Sequence, residues 1–136
     1  MYITEKEIRV RYGEVDQMGY VYYGNYALYL EEGRTDNLRQ MGLTYKQLEE
    51  DHIIMPVLEM KIKYILPARY DDLLTIKTTL DKLPATRITF KAEMFNQNGD
   101  LMNISETTLV FVNKQNMKPC SPPDYLVEKF KPLFNT

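Results

Sequence analysis

The stretch YGEVDQMGYVYYGNYALYLEEGR, residues 12–34, decides the fold. Its first half is irregular and punctuated by glycines, which favour turns and loops. From Asn25 onward the apolar residues recur three and four positions apart, which is the period of an amphipathic helix. Asn25 suits the N-cap of that helix, and Gly42 suits its end. The stretch therefore predicts a loop that opens into one long helix.

The predicted helix has two unlike sides. Gly33 falls within the apolar stripe, where its missing side chain would let the helix approach a neighbouring surface closely. Charged residues occupy the other side, which is expected to face solvent. The stripe comprises Tyr26, Leu30, Gly33, Asn37 or Leu38, and Met41, and the charged side comprises Glu31, Glu32, Arg34, Asp36 and Arg39.

Around this helix the sequence alternates between apolar and polar residues, the pattern of half-buried strands. With one long helix and about five strands, the economical architecture is a single α+β domain over residues 1–136. The helix then packs on one face of an antiparallel sheet, and the last four strands follow one another as a meander. The predicted strands cover residues 7–12, 54–66, 73–83, 86–96 and 101–113, and two shorter helices cover residues 45–51 and 125–131.

The candidate for chemistry in the opening stretch is Asp16, a carboxylate in the glycine-rich loop before the helix. The first N–H groups of a helix are unpaired and lie at the positive end of its dipole. Such groups stabilise the oxyanion of acyl transfer, while a carboxylate attacks the acyl carbon or deprotonates a water. A thioester carbonyl is reactive enough for this without a metal. An aspartate in such a loop also serves as a turn or capping residue, and spacing alone does not choose between these roles.

Two segments of the chain carry a family signature. The first consists of Asp16, Gly19, Val21-Tyr22-Tyr23, Asn25-Tyr26 and the acidic-to-arginine stretch 31–34, and the second is YILPARYDD, residues 64–72. Together they resemble the 4-hydroxybenzoyl-CoA thioesterase family, which includes the acyl-CoA thioesterases associated with the Tol-Pal system. The resemblance implies the hotdog fold, in which a curved antiparallel sheet wraps one long helix. It also implies hydrolysis of an acyl-CoA substrate to free acid and CoA, with no cofactor.

The same resemblance assigns roles to individual residues. Asp16 falls on the catalytic aspartate, which acts as general base or as a nucleophile that forms a mixed anhydride. Tyr23 falls on the position whose backbone N–H binds the thioester oxygen. Many relatives in the Tol-Pal branch carry histidine at that position, but a backbone role tolerates tyrosine. The residues expected to bind substrate are Gly19, Asn25, Tyr26, Arg69 and Arg87. Because CoA carries phosphates, Lys or Arg is expected at the mouth of the pocket whatever the resemblance implies, and the candidates are Lys61, Arg69, Lys82, Arg87 and Lys91.

The net charge, the single histidine, the single cysteine and the lack of a long apolar run argue against several classes of function and location. The formal net charge is -2, with Lys and Arg scattered singly, so nucleic acid is not expected as a partner. His52 is the one histidine, which argues against a histidine-dependent hotdog dehydratase and against a metal site. Cys120 is the one cysteine and can form no internal disulfide, which fits a reducing compartment. No apolar run approaches the roughly 18 residues of a membrane span, and no signal peptide is visible, so we expect a cytoplasmic protein.

Two other functions and the assembly stay open at this point. The acyl group could be carried by an acyl carrier protein, although no run of basic residues is visible for such an acidic partner. The domain could also be a non-catalytic hotdog module that binds acyl-CoA, although Asp16, Gly19 and Asn25 argue against this. The resemblance further implies a homo-oligomer, either a dimer or a homotetramer built as a dimer of dimers.

Overall fold

The computed structural model of the chain describes residues 1–134, and residues 135 and 136, which the single-domain prediction includes, lie outside the described residues. Within residues 1–134 the strands form a five-stranded and a three-stranded sheet. The helices are α1 (Asn25–Arg39), α2 (Tyr45–Glu50) and α3 (Asp124–Phe134), and a 3-10 turn covers Tyr12–Glu14. The strands are β1 (Tyr2–Arg9), β2 (Ile53–Ile54), β3 (Val57–Tyr64), β4 (Leu73–Leu80), β5 (Arg87–Phe95), β6 (Leu101–Val110), β7 (Val112–Asn113) and β8 (Lys118–Pro119).

The five-stranded sheet is antiparallel throughout, with the order β1-β4-β5-β6-β3. The prediction of a meander is confirmed for β4, β5 and β6 and is wrong for β3, which pairs with β6 at the far edge. Residues 65–72 connect β3 to β4 across the ends of two strands, a span of roughly 14 Å at ~4.8 Å per strand. Alternation of apolar residues predicts which face a strand buries, but it carries no information about the neighbour with which the strand pairs.

The first strand also differs from its prediction over residues 7–12. β1 begins at Tyr2 and pairs with β4 from Tyr2 opposite Leu80 to Arg9 opposite Leu73. After Arg9 the chain leaves the sheet and enters the 3-10 turn. Residues 7–9 of the predicted strand therefore belong to β1, whereas residues 10–12 belong to the segment that leads to the Asp16 loop.

α1 lies across β1 and β4, which confirms a long helix packed on one face of the sheet. Gly33 makes this approach possible, as predicted. A Cβ atom at Gly33 would lie 2.8 Å from Thr78 Oγ1 and 2.9 Å from Ile76 Cγ2, closer than ordinary van der Waals contact. Helix and sheet bury between them the aromatic and aliphatic side chains of Tyr26, Tyr29, Leu30, Leu74, Ile76, Met94 and Met102.

Two predictions for α1 are wrong. Asn25 is the first helical residue rather than the N-cap, and Gly24 occupies the N-cap without a side-chain hydrogen bond. Arg34 was expected in solvent, yet only 6% of its surface is accessible. At about 100° per residue Arg34 lies next to Gly33 at the border of the buried stripe, and Tyr45 of α2 lies close to it.

A second part of the core lies towards the C-terminal end of α1. Leu38 packs there with Phe90 and Phe111 of the sheet region, and α3 contributes Leu126 and Phe130. These side chains are at most 2% exposed, so α3 is a full member of the core. Among residues 1–134, no helix combines the length and the apolar character that crossing a membrane requires.

Candidate active site

Asp16 lies at the start of a tight hairpin. Val15 and Val21 form an isolated antiparallel bridge, and the Asp16 N–H donates to the Tyr20 carbonyl at 2.7 Å. The Gly19 N–H returns to the Asp16 carbonyl at 3.0 Å, with Gly19 at φ +81°. Only glycine adopts this left-handed conformation without strain, so Gly19 closes the turn that presents Asp16.

The two oxygens of the Asp16 carboxylate have different roles. Oδ1 accepts hydrogen bonds from the backbone N–H groups of Met18, at 2.9 Å, and Tyr20, at 3.3 Å. No hydrogen bond within residues 1–134 engages Oδ2. One oxygen therefore fixes the carboxylate in the loop, and the other is free to attack an acyl carbon or to accept a proton from water.

The start of α1 supplies donors for an oxyanion. The N–H groups of Asn25 and Tyr26 donate to the carbonyls of Tyr22 and Tyr23, at 2.8 and 3.3 Å. The N–H groups of Tyr23 and Gly24 have no acceptor among the described residues, and Tyr23 is 68% exposed. Two free N–H groups at the positive end of a helix are the arrangement that stabilises a tetrahedral oxyanion.

A cavity of about 290 Å³ is lined by both Asp16 and Tyr23. Asp16 and Tyr23 line it from one side, and the segment 64–67, which follows β3, lines it from the other. Most of the remaining wall is aromatic or aliphatic, which suits an acyl group. The lining residues are Asp16, Met18, Tyr20, Val21, Tyr23, Tyr26, Tyr64, Ile65, Leu66 and Pro67.

Glu14 connects the loop to the helix. Its Oε1 accepts from the Arg11 N–H, at 2.8 Å, and from the Tyr29 hydroxyl, at 2.9 Å, while its Oε2 accepts from the Arg11 guanidinium. Its backbone carbonyl accepts from Asn25 Nδ2 at 2.9 Å. Burial alone would raise the pKa of Glu14, but the hydrogen bonds from Arg11 and Tyr29 hold it below its usual value. Glu14 thus holds the Asp16 loop against the first turns of α1.

Tyr26 connects the helix to the opposite wall. Its hydroxyl accepts a hydrogen bond from the Ala68 N–H at 3.0 Å, and the Ala68 carbonyl accepts from the Val21 N–H at 2.8 Å. Burial raises the pKa of the Tyr26 hydroxyl, so it stays protonated at neutral pH. Through these bonds, Ala68, which follows the segment 64–67, is fixed both to Tyr26 of α1 and to Val21 of the Asp16 hairpin.

Comparison with known proteins identifies the family of this site. Residues 10–130 match the thioesterase-like superfamily. The chain belongs to the thioesterase-like superfamily. The putative acyl-CoA thioesterase YneP of Bacillus subtilis is 31% identical over 119 residues, covering 88% of this chain and 86% of that relative. The acyl-CoA thioester hydrolase YbgC of Escherichia coli is 32% identical over 124 residues, covering 91% and 92%.

Solved structures agree with the family. The DHNA-CoA thioesterase of Staphylococcus aureus is 31% identical with a TM-score of 0.92, covering 98% of this chain and 91% of that chain. A 4-hydroxybenzoyl CoA thioesterase is similar in fold alone, with 21% identity, a TM-score of 0.84 and coverage of 95% and 99%. This thioesterase has the hotdog fold, and the predictions of that fold and of a thioesterase are confirmed.

The structure brings together some of the residues that the sequence singled out. Asp16, Tyr23 and Tyr26 of the thioesterase line one cavity, while Gly19 and Asn25 lie beside it and shape the loop and the helix start. Asn25 bonds to the Glu14 carbonyl and makes no hydrogen bond to Asp16 within residues 1–134. Their roles towards substrate stay predictions.

The two arginines lie in very different places. The guanidinium of Arg69 stacks over the ring of Tyr20 at 4.8 Å, at the edge of the cavity, where it can meet a phosphate. Arg87 begins β5 and pairs with Val110, seven residues from Met94, so that within one chain it lies roughly 23 Å along the strand from the Asp16 end. The structure does not bring Arg87 to the site within one chain.

Sequence reasoning missed Glu14 as the anchor of the loop and did not assign Tyr64 to the pocket. Arg11 and Glu14 are three positions apart around a turn, which is the spacing of reciprocal capping and was the available signal. Tyr64 belongs to the quoted segment 64–72, but its approach to the Asp16 loop depends on the path of the chain between β3 and β4.

The larger cavity of the thioesterase, about 680 Å³, lies over the outer face of the sheet. Lysines and carboxylates from neighbouring strands line it, including Lys61, Lys91 and Glu106, and Lys91 pairs with Asp81 at 2.9 Å. It contains neither Asp16 nor the residues at the start of α1. The candidate site is therefore the smaller cavity, which Asp16 and Tyr23 line.

Proposed function

We propose that this thioesterase hydrolyses acyl-CoA thioesters to free acid and CoA at the Asp16 cavity. The observation that carries the proposal is the free Oδ2 of Asp16 in the same largely apolar cavity as Tyr23, whose unpaired N–H group lies with that of Gly24 at the start of α1. The names of YneP and YbgC, both acyl-CoA thioesterases by name, support the substrate class. Arg69 at the rim offers a positive charge for the CoA phosphates.

The reaction begins with the thioester carbonyl oxygen accepting hydrogen bonds from the Tyr23 and Gly24 N–H groups. On one route, Asp16 Oδ2 takes a proton from a water and that water attacks the acyl carbon; the C–S bond then breaks, and CoA leaves as the thiol with the proton that Asp16 held. On the other, Oδ2 attacks directly, the CoA thiolate leaves, and water hydrolyses the resulting mixed anhydride. In both routes the negative charge that develops on the carbonyl oxygen is stabilised by the helix start.

Free-thiol release from short, long and aromatic acyl-CoAs tests the proposal. We expect wild-type turnover on at least one of them and a loss of about 10²–10⁴-fold in kcat for Asp16→Asn. Asp124→Asn, the same change on an exposed carboxylate of α3, is the matched control and should keep wild-type turnover. Absence of turnover on every acyl-CoA would refute the proposal and favour an acyl carrier protein substrate or a binding module.

A single turnover in ¹⁸O-labelled water can establish the anhydride route. If the anhydride forms and water attacks its aspartyl carbonyl, the first turnover places the label in Asp16 and releases unlabelled acid. If Asp16 acts as a general base, or if water attacks the acyl carbonyl of the anhydride, the label enters the released acid and Asp16 stays unlabelled. Mass spectrometry of the peptide that contains Asp16 and of the product distinguishes these outcomes.

We also propose that the enzyme is a cytoplasmic homodimer joined through β3. β3 pairs with β6 on one side alone, so its other edge presents unpaired backbone groups. Val57, Leu58 and Tyr64 on and around this edge are about half exposed, at 49%, 52% and 50%. An exposed apolar edge of this kind is covered when the same strand of a second copy pairs with it.

A further inference from the structure

We infer that Asp72 and Gln97 are positioning residues for the reaction, although neither of them lines the Asp16 cavity. Together they close the turn formed by residues 69–72. This turn fixes Tyr20, and Tyr20 orients the carboxylate of Asp16. The inference rests on the proposed function, and it adds that the turn between β5 and β6 controls the reactive carboxylate.

Tyr20 holds Asp16 from within the hairpin. Its carbonyl accepts a hydrogen bond from the Asp16 N–H at 2.7 Å, and its own N–H donates to Asp16 Oδ1 at 3.3 Å. The second bond is longer than the roughly 2.7–3.2 Å of most N–H···O bonds, so a small shift of Tyr20 would break it. Because Oδ1 is the oxygen that is held, the direction in which Oδ2 points depends on the position of Tyr20.

Residues 68 and 69 fix Tyr20 from outside the hairpin. Tyr20 forms an isolated antiparallel bridge with Arg69, whose guanidinium carbon lies 4.8 Å from the centre of the Tyr20 ring. Beside this bridge, the N–H of Val21 donates to the carbonyl of Ala68 at 2.8 Å. Tyr20 therefore follows the backbone of Arg69.

The turn 69–72 also holds the chain that precedes the Asp16 loop. The Val10 N–H donates to the Asp72 carbonyl at 2.9 Å, and the Val10 carbonyl accepts from the Asp71 N–H at 3.1 Å. Val10 leads into the Asp16 loop and Tyr20 leads out of it. One turn is therefore bonded to the chain on both sides of Asp16.

The side chain of Asp72 closes this turn. Its Oδ2 accepts from the Arg69 N–H at 2.9 Å, and the Asp72 N–H donates to the Arg69 carbonyl at 3.2 Å. Between them, Asp71 has φ +68°, a left-handed conformation that is unfavourable for a residue with a side chain. Since the backbone at Asp71 disfavours the turn, the bond from Asp72 to Arg69 is needed to keep it closed.

Gln97, in the turn between β5 and β6, fixes the Asp72 carboxylate. Its Nε2 donates to Asp72 Oδ1 at 3.1 Å, and its Oε1 accepts from the Leu73 N–H at 3.1 Å. Both oxygens of Asp72 and both polar atoms of Gln97 are therefore engaged. The arrangement requires one carboxylate and one amide, because two carboxylates would repel and two amides would supply too few acceptors.

An exchange of these two groups tests the arrangement. In Asp72→Asn a single oxygen faces two donors, and in Gln97→Glu two carboxylates face each other. Asp72→Asn combined with Gln97→Glu restores all three bonds, because the new amide donates to the new carboxylate. The amide oxygen then serves the Arg69 N–H, and the second carboxylate oxygen serves the Leu73 N–H.

Turnover of the best acyl-CoA is the first measurement. We expect kcat to fall by about 10–10²-fold in each single variant, with a smaller change in KM, because a displaced reactive group loses its alignment with the acyl carbon. The combined variant should return to within about threefold of the wild type, since the two changes compensate each other. Gln97 is exposed, so Gln97→Glu carries the test even where Asp72→Asn does not fold.

The chain provides a matched control of the same residue types. Gln40 Nε2 donates to Asp36 Oδ2 at 2.7 Å at the far end of α1 from Asp16. Asp36→Asn and Gln40→Glu should therefore keep the wild-type kcat.

Amide hydrogen exchange follows the same contacts without a substrate. We expect faster exchange over residues 16–21 in Asp72→Asn and Gln97→Glu, and a return to the wild-type rate in the combined variant. Faster exchange in an enzyme without turnover on any acyl-CoA would refute the proposed function and still show that Asp72 and Gln97 hold the hairpin.

Three results would overturn the inference while the proposed function stands. The first is a wild-type kcat in both single variants, or a combined variant no better than either. The second is a loss of kcat/KM that comes from KM alone, which would mean that the turn serves Arg69 and CoA binding rather than Asp16. The third is unchanged exchange over residues 16–21 in the single variants.

Discussion

The hydroxyl of Tyr26 accepts a hydrogen bond from the backbone N–H of Ala68 at 3.0 Å, and this bond joins the two walls of the Asp16 cavity. Tyr26 lies in the first turn of α1, next to the amides that would hold the oxyanion. Ala68 directly follows the segment 64–67, and both residues are buried. The width of the cavity is therefore fixed by a contact between residues that are 42 positions apart.

Removal of this bond should loosen the cavity. In Tyr26→Phe the N–H of Ala68, which is 0% exposed, is left without an acceptor, at a cost of about 1–3 kcal/mol in the free energy of unfolding. Urea unfolding measures that loss, and we expect KM for acyl-CoA to rise with it. Tyr70→Phe changes an exposed tyrosine and should leave both values unchanged. An unchanged free energy of unfolding in Tyr26→Phe would show that the bond contributes nothing.

Glu14 should make part of the stability depend on pH. Its pKa in the folded protein is lowered, so its stabilisation is complete above the usual glutamate pKa of about 4.3 and is lost as the pH falls through the lowered value. Glu14→Gln should cost about 1 kcal/mol near neutral pH, because the carboxylate's bonds to Arg11 and Tyr29 are weakened. The difference between variant and wild type should shrink in acid.

Urea unfolding at both ends of this pH range checks the expectation. Glu128→Gln is the matched control, since Glu128 is 66% exposed and pairs with Lys131 in solvent, where ion pairs contribute little. A difference between Glu14→Gln and wild type that stays constant with pH would mean that the Glu14 carboxylate does not titrate with folding.

Gly33 should tolerate no side chain. The Cβ of Gly33→Ala would lie within 3 Å of Thr78 Oγ1 and Ile76 Cγ2, and we expect a net loss of about 1–3 kcal/mol despite the better helix propensity of alanine. Gly13→Ala, where no atom lies within 4 Å of the new Cβ, is the control. Adding Thr78→Ala to Gly33→Ala should recover part of the loss, because Thr78 Oγ1 has no hydrogen-bond partner within residues 1–134. If Thr78→Ala does not restore stability to Gly33→Ala, the contact with Thr78 is not the source of the strain.

Local patterns in the sequence predicted much of this molecule. The helix from Asn25, its close approach at Gly33 and the placement of Asp16 before its start depend on spacing within a short stretch, which a sequence displays directly. The assignment of Asp16, Tyr23 and Tyr26 to one site came instead from the family resemblance of that stretch, and all three line one cavity.

Such local patterns could not predict features that depend on contacts between distant parts of the chain. The pairing of β3 with β6 and the approach of Tyr64 to the Asp16 loop follow from the path of residues 65–72. Arg34 was assigned to solvent because it lies among the charged residues opposite the apolar stripe of the helix, and its burial beside Tyr45 depends on how α2 folds back.

The last prediction concerns the free edge of β3, through which we propose that the enzyme dimerises. It tests whether loss of the dimer also lowers turnover. Leu58 lies at a β-bulge between Val57 and Glu59 and is 52% exposed on that edge. A charge on an edge strand prevents pairing with another strand. Leu58→Lys should therefore be a monomer in light scattering at concentrations where the wild type is a dimer. Its acyl-CoA turnover should fall with dimerisation, since the segment 64–67, which lines the Asp16 cavity, directly follows the paired strand β3.

Two further measurements make this prediction specific. Lys77→Gln removes a charge from β4, a strand that is paired on both of its edges, and it should keep both the dimer and its turnover. Raising the concentration of Leu58→Lys should restore dimer and turnover together if one interface governs both. A Leu58→Lys variant that stays dimeric would place the interface on another surface, and a fully active monomer would show that one chain holds the complete site.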